Sequence, residues 1–406
     1  MRDLQDSAVS ATFTRGLSLI VALIAQGMYA RIGGVQFFGA FAISMSLLFV
    51  VVELVDFGNS TQAARNSALR RLSFDSLRQS FSLIMFRGLP VTLFCALSII
   101  YVDLDFSLLY LVVALNLVPT TLSIYFQQFC FAHKKNVWAN TCLIIEKLGW
   151  CSVWPLYSWG ISARIAIPTS IVFGSFLSIV YILICLSRGE ETHIEEDSNL
   201  LKLWKKENGF SFVGNKSIFG FRLFGNIAYL DNLLVGILFG HSAAGVYAAG
   251  SRLRVPLIVG FTSVGDLVVG DVLKSERTTG LAIKRDYLIV VILNLLACCL
   301  AALFSNPISI LLYGPNFEEA SFAIFWFSIA SIFIGVSSII RSYLVAIGRE
   351  IEVSKVTVYS TVSLIIGIVV LSYIADYRAS ILYSFVNYAL ITISYLTIYL
   401  KFKRSE

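Results

Sequence analysis

Twelve apolar stretches, each about the length of a membrane-crossing helix, follow one another along this chain with mostly short polar junctions between them. A helix needs roughly 20 apolar residues to cross a hydrocarbon core about 30 Å thick. The stretches run approximately over 8–30, 37–58, 81–101, 107–130, 139–159, 164–187, 210–238, 243–270, 287–312, 322–346, 354–375 and 378–400. With 57% hydrophobic residues and a mean hydropathy of +0.80, the chain carries more apolar surface than a water-soluble fold could cover. The implied class is an all-α polytopic membrane protein with about 12 transmembrane helices.

The polar junctions orient it. Arg65, Arg70, Arg71 and Arg78 fall in one junction, Lys134 and Lys135 in another, and Arg188, Lys202, Lys205 and Lys206 in the longest. Lys274, Arg277, Lys284, Arg285, Arg349, Lys355, Lys401, Lys403 and Arg404 continue the same alternation. The opposite side keeps only Arg31, Arg164 and Arg378, beside acidic turns such as Asp103–Asp105 and Glu318–Glu319. Basic residues collect in cytoplasmic loops, so both termini are expected in the cytoplasm. The formal net charge of +6 is then a mark of topology and gives no reason to expect a nucleic-acid partner. The first stretch reaches spanning length and carries Arg15, unlike a cleavable secretory signal.

Several chemistries find no support. The seven cysteines (95, 130, 142, 151, 185, 298 and 299) lie within or beside apolar stretches without a C-x-x-C pair, as small packing residues do. His133, His193 and His241 fall in expected loops without ligand spacing, so no metal is expected. No G-x-x-x-x-G-K-[ST] loop is present to bind ATP phosphates. No catalytic set emerges, and the chain is not expected to be an enzyme.

An internal repeat divides the chain. Gly34, Gly39, Phe41 and Ala42 in GVQFFGAFA return 206 residues later as Gly240, Gly245, Tyr247 and Ala248 in GHSAAGVYA, and the same offset sets Phe81 on Tyr287. Six segments per copy make the two halves parallel repeats, an arrangement in which transporters bind substrate between the halves and work by alternating access. The expected organisation is a six-helix bundle over 1–187, a cytoplasmic linker over 188–208 and a second, pseudo-symmetric six-helix bundle over 209–406. The linker reads as a tether, with Leu200, Leu201, Leu203 and Trp204 able to form one face of a surface helix.

The run YARIGGVQFFGAFAISMSLLFVVVELVDFGNSTQAARN over 29–66 resembles the start of bacterial polysaccharide-unit flippases of the O-antigen translocase (Wzx) type. In that family an AR–G–FG–FA turn precedes an apolar helix and a DFG…R sequence. YLDNLLVGILFGHSAAGVYAAGSRL over 229–253 resembles the matching second-half segment. The resemblance extends to the multidrug/oligosaccharidyl-lipid/polysaccharide exporter superfamily, which includes multidrug extruders and the lipid II flippase. It implies a two-bundle fold in the bacterial inner membrane and an undecaprenyl diphosphate-linked oligosaccharide as substrate. It also implies a polysaccharide polymerase and a chain-length regulator as downstream partners.

Charges inside the apolar stretches narrow the site. A central Arg or Asp costs about 2.5–3.5 kcal/mol on insertion scales and needs a polar partner or a wet cavity. Arg15 sits in the first stretch, with Gln26 and Tyr29 about 20° and 40° from its meridian. Arg222 occupies a similar depth in the seventh, and Arg252 and Arg254 lie in the eighth. Arginines converging on a cavity suit a diphosphate headgroup, whose oxygens accept bidentate hydrogen bonds from guanidinium. The alternative is that Arg15 and Lys216 snorkel to the interface and Arg252 pairs with an acid to hold helices together. Arg341 lies near a helix end, where snorkelling is favoured.

Glu53, Asp56, Asp231 and Asp266 are the acids expected to take up H⁺ or Na⁺ if transport is ion-coupled, the last about 40° round the helix from Arg252. Asp56 has the alternative of capping a helix end, and Glu146 with Lys147 that of an ordinary adjacent pair. Among six prolines that interrupt expected spans, Pro256 follows Arg252 by one turn and is the candidate hinge.

The sequence therefore points to a flippase moving a lipid-linked oligosaccharide unit to the outer leaflet for O-antigen or other surface polysaccharide assembly. Beyond the lipid bilayer and a possible coupling ion, no cofactor is expected. A cation-coupled exporter of drugs or small amphiphiles is the nearest alternative, and a membrane glycosyltransferase or polysaccharide polymerase is the alternative from another class. The expected outer loops are short for a polymerase.

Overall fold

The computed structural model describes residues 8–56, 74–100, 106–132, 136–187, 230–274 and 285–405. The expected linker, Lys216 and Arg222 lie outside these residues. Every regular element among the described residues is helical. In the first half these are α1 (Ala8–Asp56), α2 (Phe74–Ile100), α3 (Ser107–Leu115), α4 (Leu117–Ala132), α5 (Asn136–Trp150), α6 (Val153–Ser158) and α7 (Ala163–Ser187). In the second they are α8 (Leu230–Phe239), α9 (His241–Lys274), α10 (Arg285–Leu303), α11 (Ser305–Tyr313), α12 (Ala320–Ala346), α13 (Glu350–Ile374) and α14 (Tyr377–Ser405).

Among the described residues, six helical stretches are long and apolar enough to cross a membrane, and α10 with α11 makes a seventh if that bent pair is one span. The sequence reading divides the chain more finely. Its first two spans form one continuous helical stretch, bent where Gly34 takes φ 75°. Of its seventh, over 210–238, only α8 lies among the described residues. Its ninth, one apolar run in the sequence, is broken at Phe304 into arms 82° apart. Pro307 lies in the first turn of the second arm, where a missing N–H is tolerated.

The exterior is apolar: Phe86, Phe94, Leu303 and Tyr373 are each more than 70% exposed, which is economical only if lipid covers them. Burial distinguishes central from peripheral helices. The most apolar window of α1 is 72% buried and that of α13 only 17%. Inside, Ser, Thr and Asn are common, and most satisfy themselves on the preceding turn, as Ser331 Oγ does on the Phe327 carbonyl at 2.7 Å.

One hydrophobic cluster around Ile84, Phe126, Phe129 and Ile182 belongs to the first half. Others around Tyr247, Phe327, Leu364 and Tyr388, and around Phe261 and Tyr343, belong to the second. The largest cluster joins the halves at the end of the molecule where α1 bends. There the Phe38 ring lies 5.6 Å from Tyr313 and 5.7 Å from Phe317. The first-half side of this cluster is fixed by Tyr29, whose hydroxyl meets Ser170 Oγ at 2.9 Å while its ring stacks on Trp150 at 6.2 Å. Tyr29, expected on a polar stripe with Arg15, thus ties α1 to α5 and α7.

The repeated motif lies at this seam. Gly34 and Gly240, 206 residues apart, both adopt positive φ, 75° and 88°, at the two helix corners. Such a conformation is strained for any residue with a Cβ. Gly39 packs against the backbone of His241, and Gly245 against that of Val35. α9 consequently lies along α1 on one side and α12 on the other.

Candidate functional site

The embedded charges that the structure brings together are in the second half. Asp231 lies on α8 and is buried to 1% exposure, and Arg254 on α9 is 7% exposed. One carboxylate oxygen, Oδ1, accepts the Asn232 backbone N–H at 2.7 Å and its side-chain amide at 3.3 Å. The other, Oδ2, meets the Tyr247 hydroxyl at 3.0 Å. Tyr247 in turn contacts Ser384 Oγ of α14 at 2.9 Å, and Ser384 contacts the Ser380 carbonyl at 2.9 Å. Ser251 extends the network by donating to Asn232 Oδ1 at 3.3 Å.

Arg254 closes the network from the other side. Its guanidinium donates to the Tyr388 hydroxyl at 2.5 Å and stands over two aromatic rings, 5.1 Å from Tyr388 and 5.6 Å from Phe327. Cation–π contacts of this kind gain strength where water is excluded. The charges of Arg254 and Arg252 both act on the Asp231 carboxyl, and that of Arg252 also reaches Tyr313 at the seam. Two positions apart on a helix, Arg252 and Arg254 point about 200° away from each other, so the pair divides between two faces of α9.

The hydrogens of the Asp231 network can be counted. The three contacts from Asp231 Oδ2 through Tyr247 and Ser384 to the Ser380 carbonyl contain two hydroxyl hydrogens. With Asp231 ionised, one contact is left without a hydrogen; a neutral carboxyl supplies the third. The fully buried Ser380 hydroxyl, one turn before Ser384, has no hydrogen-bond partner among the described residues. Chemically the cluster can hold a proton, and the arginine charges beside it bias its ionisation.

Of the other expected residues, two lie apart from it. Glu53 and Asp56 are buried, at 3% and 1% exposure, on the second arm of α1, and the charge of Asp56 acts on Arg87 of α2. Arg15 and Asp266 sit on α1 and α9, with side chains outside the described set, and Arg222 lies outside it altogether. Pro256 is inside α9, which continues through it; lacking an N–H, it leaves the Arg252 carbonyl without its helical donor. Glu146 and Lys147 form the adjacent pair expected, 2.5 Å apart, with the ammonium 3.4 Å from the Trp150 ring centroid. His241, expected in a loop, opens α9 and meets the Tyr110 hydroxyl of the first half at 3.1 Å. Among the described residues no cluster of His, Cys, Asp or Glu could hold a metal ion.

Sequence reasoning missed Tyr247, Ser384, Asn232, Tyr388 and Phe327. One signal was present: at the repeat position where the first half has Phe41, the second has Tyr247, the same ring with a hydroxyl added.

The lipid II flippase MurJ, in an inward closed conformation, superposes on 96% of this chain and 87% of its own with a TM-score of 0.70 at 13% identity. An inward-facing multidrug-resistance MATE family transporter does so over 98% of this chain and all of its own, with 0.68 at 13% identity. The chain shares its fold with these transporters. An outward-facing MATE family transporter gives a lower TM-score, 0.61, at 14% identity over 98% of each chain. No protein-family model matches the chain, and no curated protein matches it in sequence. Within this fold, the Asp231–Arg254 cluster occupies the interior of the second half, and the paired glycines join the two halves.

Proposed function

We propose that the protein is a flippase of the bacterial inner membrane that carries an undecaprenyl diphosphate-linked oligosaccharide from the cytoplasmic to the outer leaflet by alternating access. The observation that carries this reading is the cationic charge of α9, the helix that lies along both α1 and α12, with Arg252 on the face opposite the Arg254–Tyr388 contact. Arg254 is buried and Arg252 half-buried there, at a cost that cations in a membrane interior incur for a reason. A diphosphate is the headgroup chemistry that such cations suit. The likeness in fold to a lipid II flippase supports the lipid-linked class; O-antigen or another surface polysaccharide is the product we assign. In this reading the termini and the 188–208 linker are cytoplasmic, twelve spans form bundles over 1–187 and 209–406, and Arg15 and Arg222 add charge to the headgroup path. A polysaccharide polymerase and a chain-length regulator act after it.

Transport is coupled to an ion through Asp231, and the missing hydrogen in the Tyr247–Ser384 chain favours H⁺ over Na⁺. Glu53, Asp56 and Asp266 are secondary candidates for the same role, and Pro256 is the hinge of α9. A second reading, a cation-coupled drug exporter, draws on one observation: Asp231, Tyr247, Tyr388 and Phe327 form an acid-and-aromatic setting such as an organic cation would favour.

The deciding experiment measures leaflet exposure of the lipid-linked oligosaccharide in cells lacking the protein. These are complemented with the unsubstituted chain, Arg222→Ala or Arg252→Ala at matched membrane abundance. Accumulation on the cytoplasmic face, relieved by the unsubstituted chain and not by the variants, is the expected result. Normal exposure without the protein, in a strain with no substitute flippase, would overturn the assignment in favour of the exporter.

A further inference from the structure

Arg31 is an exception in the charge pattern, a cation at the end of the first apolar stretch where the other junctions of that side are poor in basic residues. It lies three residues before the bend at Gly34, where the first copy of the glycine motif begins. Its side chain crosses to the other half. Nε donates to the Leu312 carbonyl at 3.2 Å, and one terminal nitrogen donates to the carbonyls of Ile310, at 3.2 Å, and Leu311.

These are the last carbonyls of α11, the short arm beyond the 82° break. A helix leaves its final carbonyls without internal donors and carries partial negative charge there. The sequence makes this end more deficient than most. Gly314, at φ 99°, ends the helix and donates its N–H to Ile310, while Pro315 has no N–H to offer the Leu311 carbonyl. The guanidinium supplies what Pro315 cannot. The approach is close on the backbone as well: a Cβ on Gly27, one turn before Arg31, would stand 2.7 Å from the Leu312 oxygen.

We propose that Arg31 is a latch between the halves, holding the Gly34 end of the molecule shut by capping α11, and that this end opens only when the cap is broken. The proposal rests on the alternating-access reading above, since it assigns the residue that balances the two states. The contact is suited to reversal. Arg31 is exposed, so water can replace its carbonyl partners as the halves part. The apolar part of the seam, Phe38 against Tyr313 and Phe317, has no such substitute. The polar bridge from His241 to Tyr110 lies across the same seam and would part in the same movement.

The test uses spin labels at Trp159→Cys in the first half and Asn316→Cys in the second, both exposed positions at this end. The seven native cysteines are replaced, and distances are read by electron–electron resonance in lipid nanodiscs. With Arg31 intact, the short-distance population is expected to dominate. Arg31→Ala should raise the ratio of long to short distances about tenfold, and Arg31→Lys, which keeps one point charge, by less. Raising salt should shift the Arg31 protein toward long distances and leave the alanine variant where it is. A distribution that neither Arg31→Ala nor salt alters overturns the latch. Should Arg31→Ala fail to fold, the salt series on the unsubstituted residue decides alone. The readout needs no substrate, so an inactive flipping assay would leave the latch standing, and an unmoved distribution would leave the flippase reading untouched.

Discussion

Gly39 and Gly245 each press against the other half's backbone, Gly39 at the carbonyl of His241 and Gly245 at that of Val35. The two contacts are one contact repeated, because 206 residues separate Gly39 from Gly245 and also Val35 from His241. A seam built this way is closed by main-chain proximity, which leaves no room for a side chain on either glycine.

Gly39→Ala is therefore expected to force the halves apart or distort the seam, at about 1–3 kcal/mol, the usual range for overpacking. Thermal unfolding in detergent reads the loss. Gly16→Ala, on the same helix but with open space at its Cβ, should leave the melting temperature unchanged or raise it slightly.

Tyr247→Phe makes the second copy of the motif match the first at this position. The ring keeps its packing against Phe327, 5.0 Å away edge-to-face, while Asp231 and Ser384 lose their shared partner. The expected cost is about 1–3 kcal/mol, as for a buried polar group left unsatisfied. In the coupling reading, the pH dependence of transport in proteoliposomes flattens; a pH profile identical to that of the unsubstituted protein would remove Tyr247 from the coupling path.

Arg254→Met strips the Asp231 carboxyl of its stronger positive neighbour. Groups coupled in one buried network show interaction energies of about 0.5–3 kcal/mol, which are lost from the balance when both are removed together. The double variant with Asp231→Asn should thus be more stable than the two single losses added together predict. Stability in the order of simple addition would show that the two charges do not interact.

Pro256→Ala restores an N–H to the Arg252 carbonyl. Stability is expected to hold or rise while transport slows several-fold, the pattern of a hinge stiffened. Unchanged transport would make Pro256 a fixed bend.

The sequence revealed more of the architecture than of the chemistry. Hydropathy located the helices because lipid imposes their length. The glycine motif marked both corners because positive φ admits few other residues. Arg254 and Asp231 were visible as costly charges, yet the partners each takes, Tyr388 and Tyr247, come from distant positions brought together by tertiary packing. Arg31 could be noticed only as an anomaly, since its partners are backbone carbonyls that carry no residue code. The break at Phe304 was hidden because both of its arms are equally apolar, with Pro307 its single mark.

The reciprocal seam has a consequence for the chain as a polymer. A surface in which each copy of a motif fits the other copy is also a surface that fits itself, as in a two-fold dimer. Cut between the halves, the two polypeptides should find one another in the membrane through Gly39 and Gly245 without a covalent tether. The first half expressed alone should pair with its own kind by the same patch, an association that detergent-resistant crosslinking at Val35→Cys would expose. The tether in the intact chain then does less to hold the halves together than to keep each from finding the wrong mate.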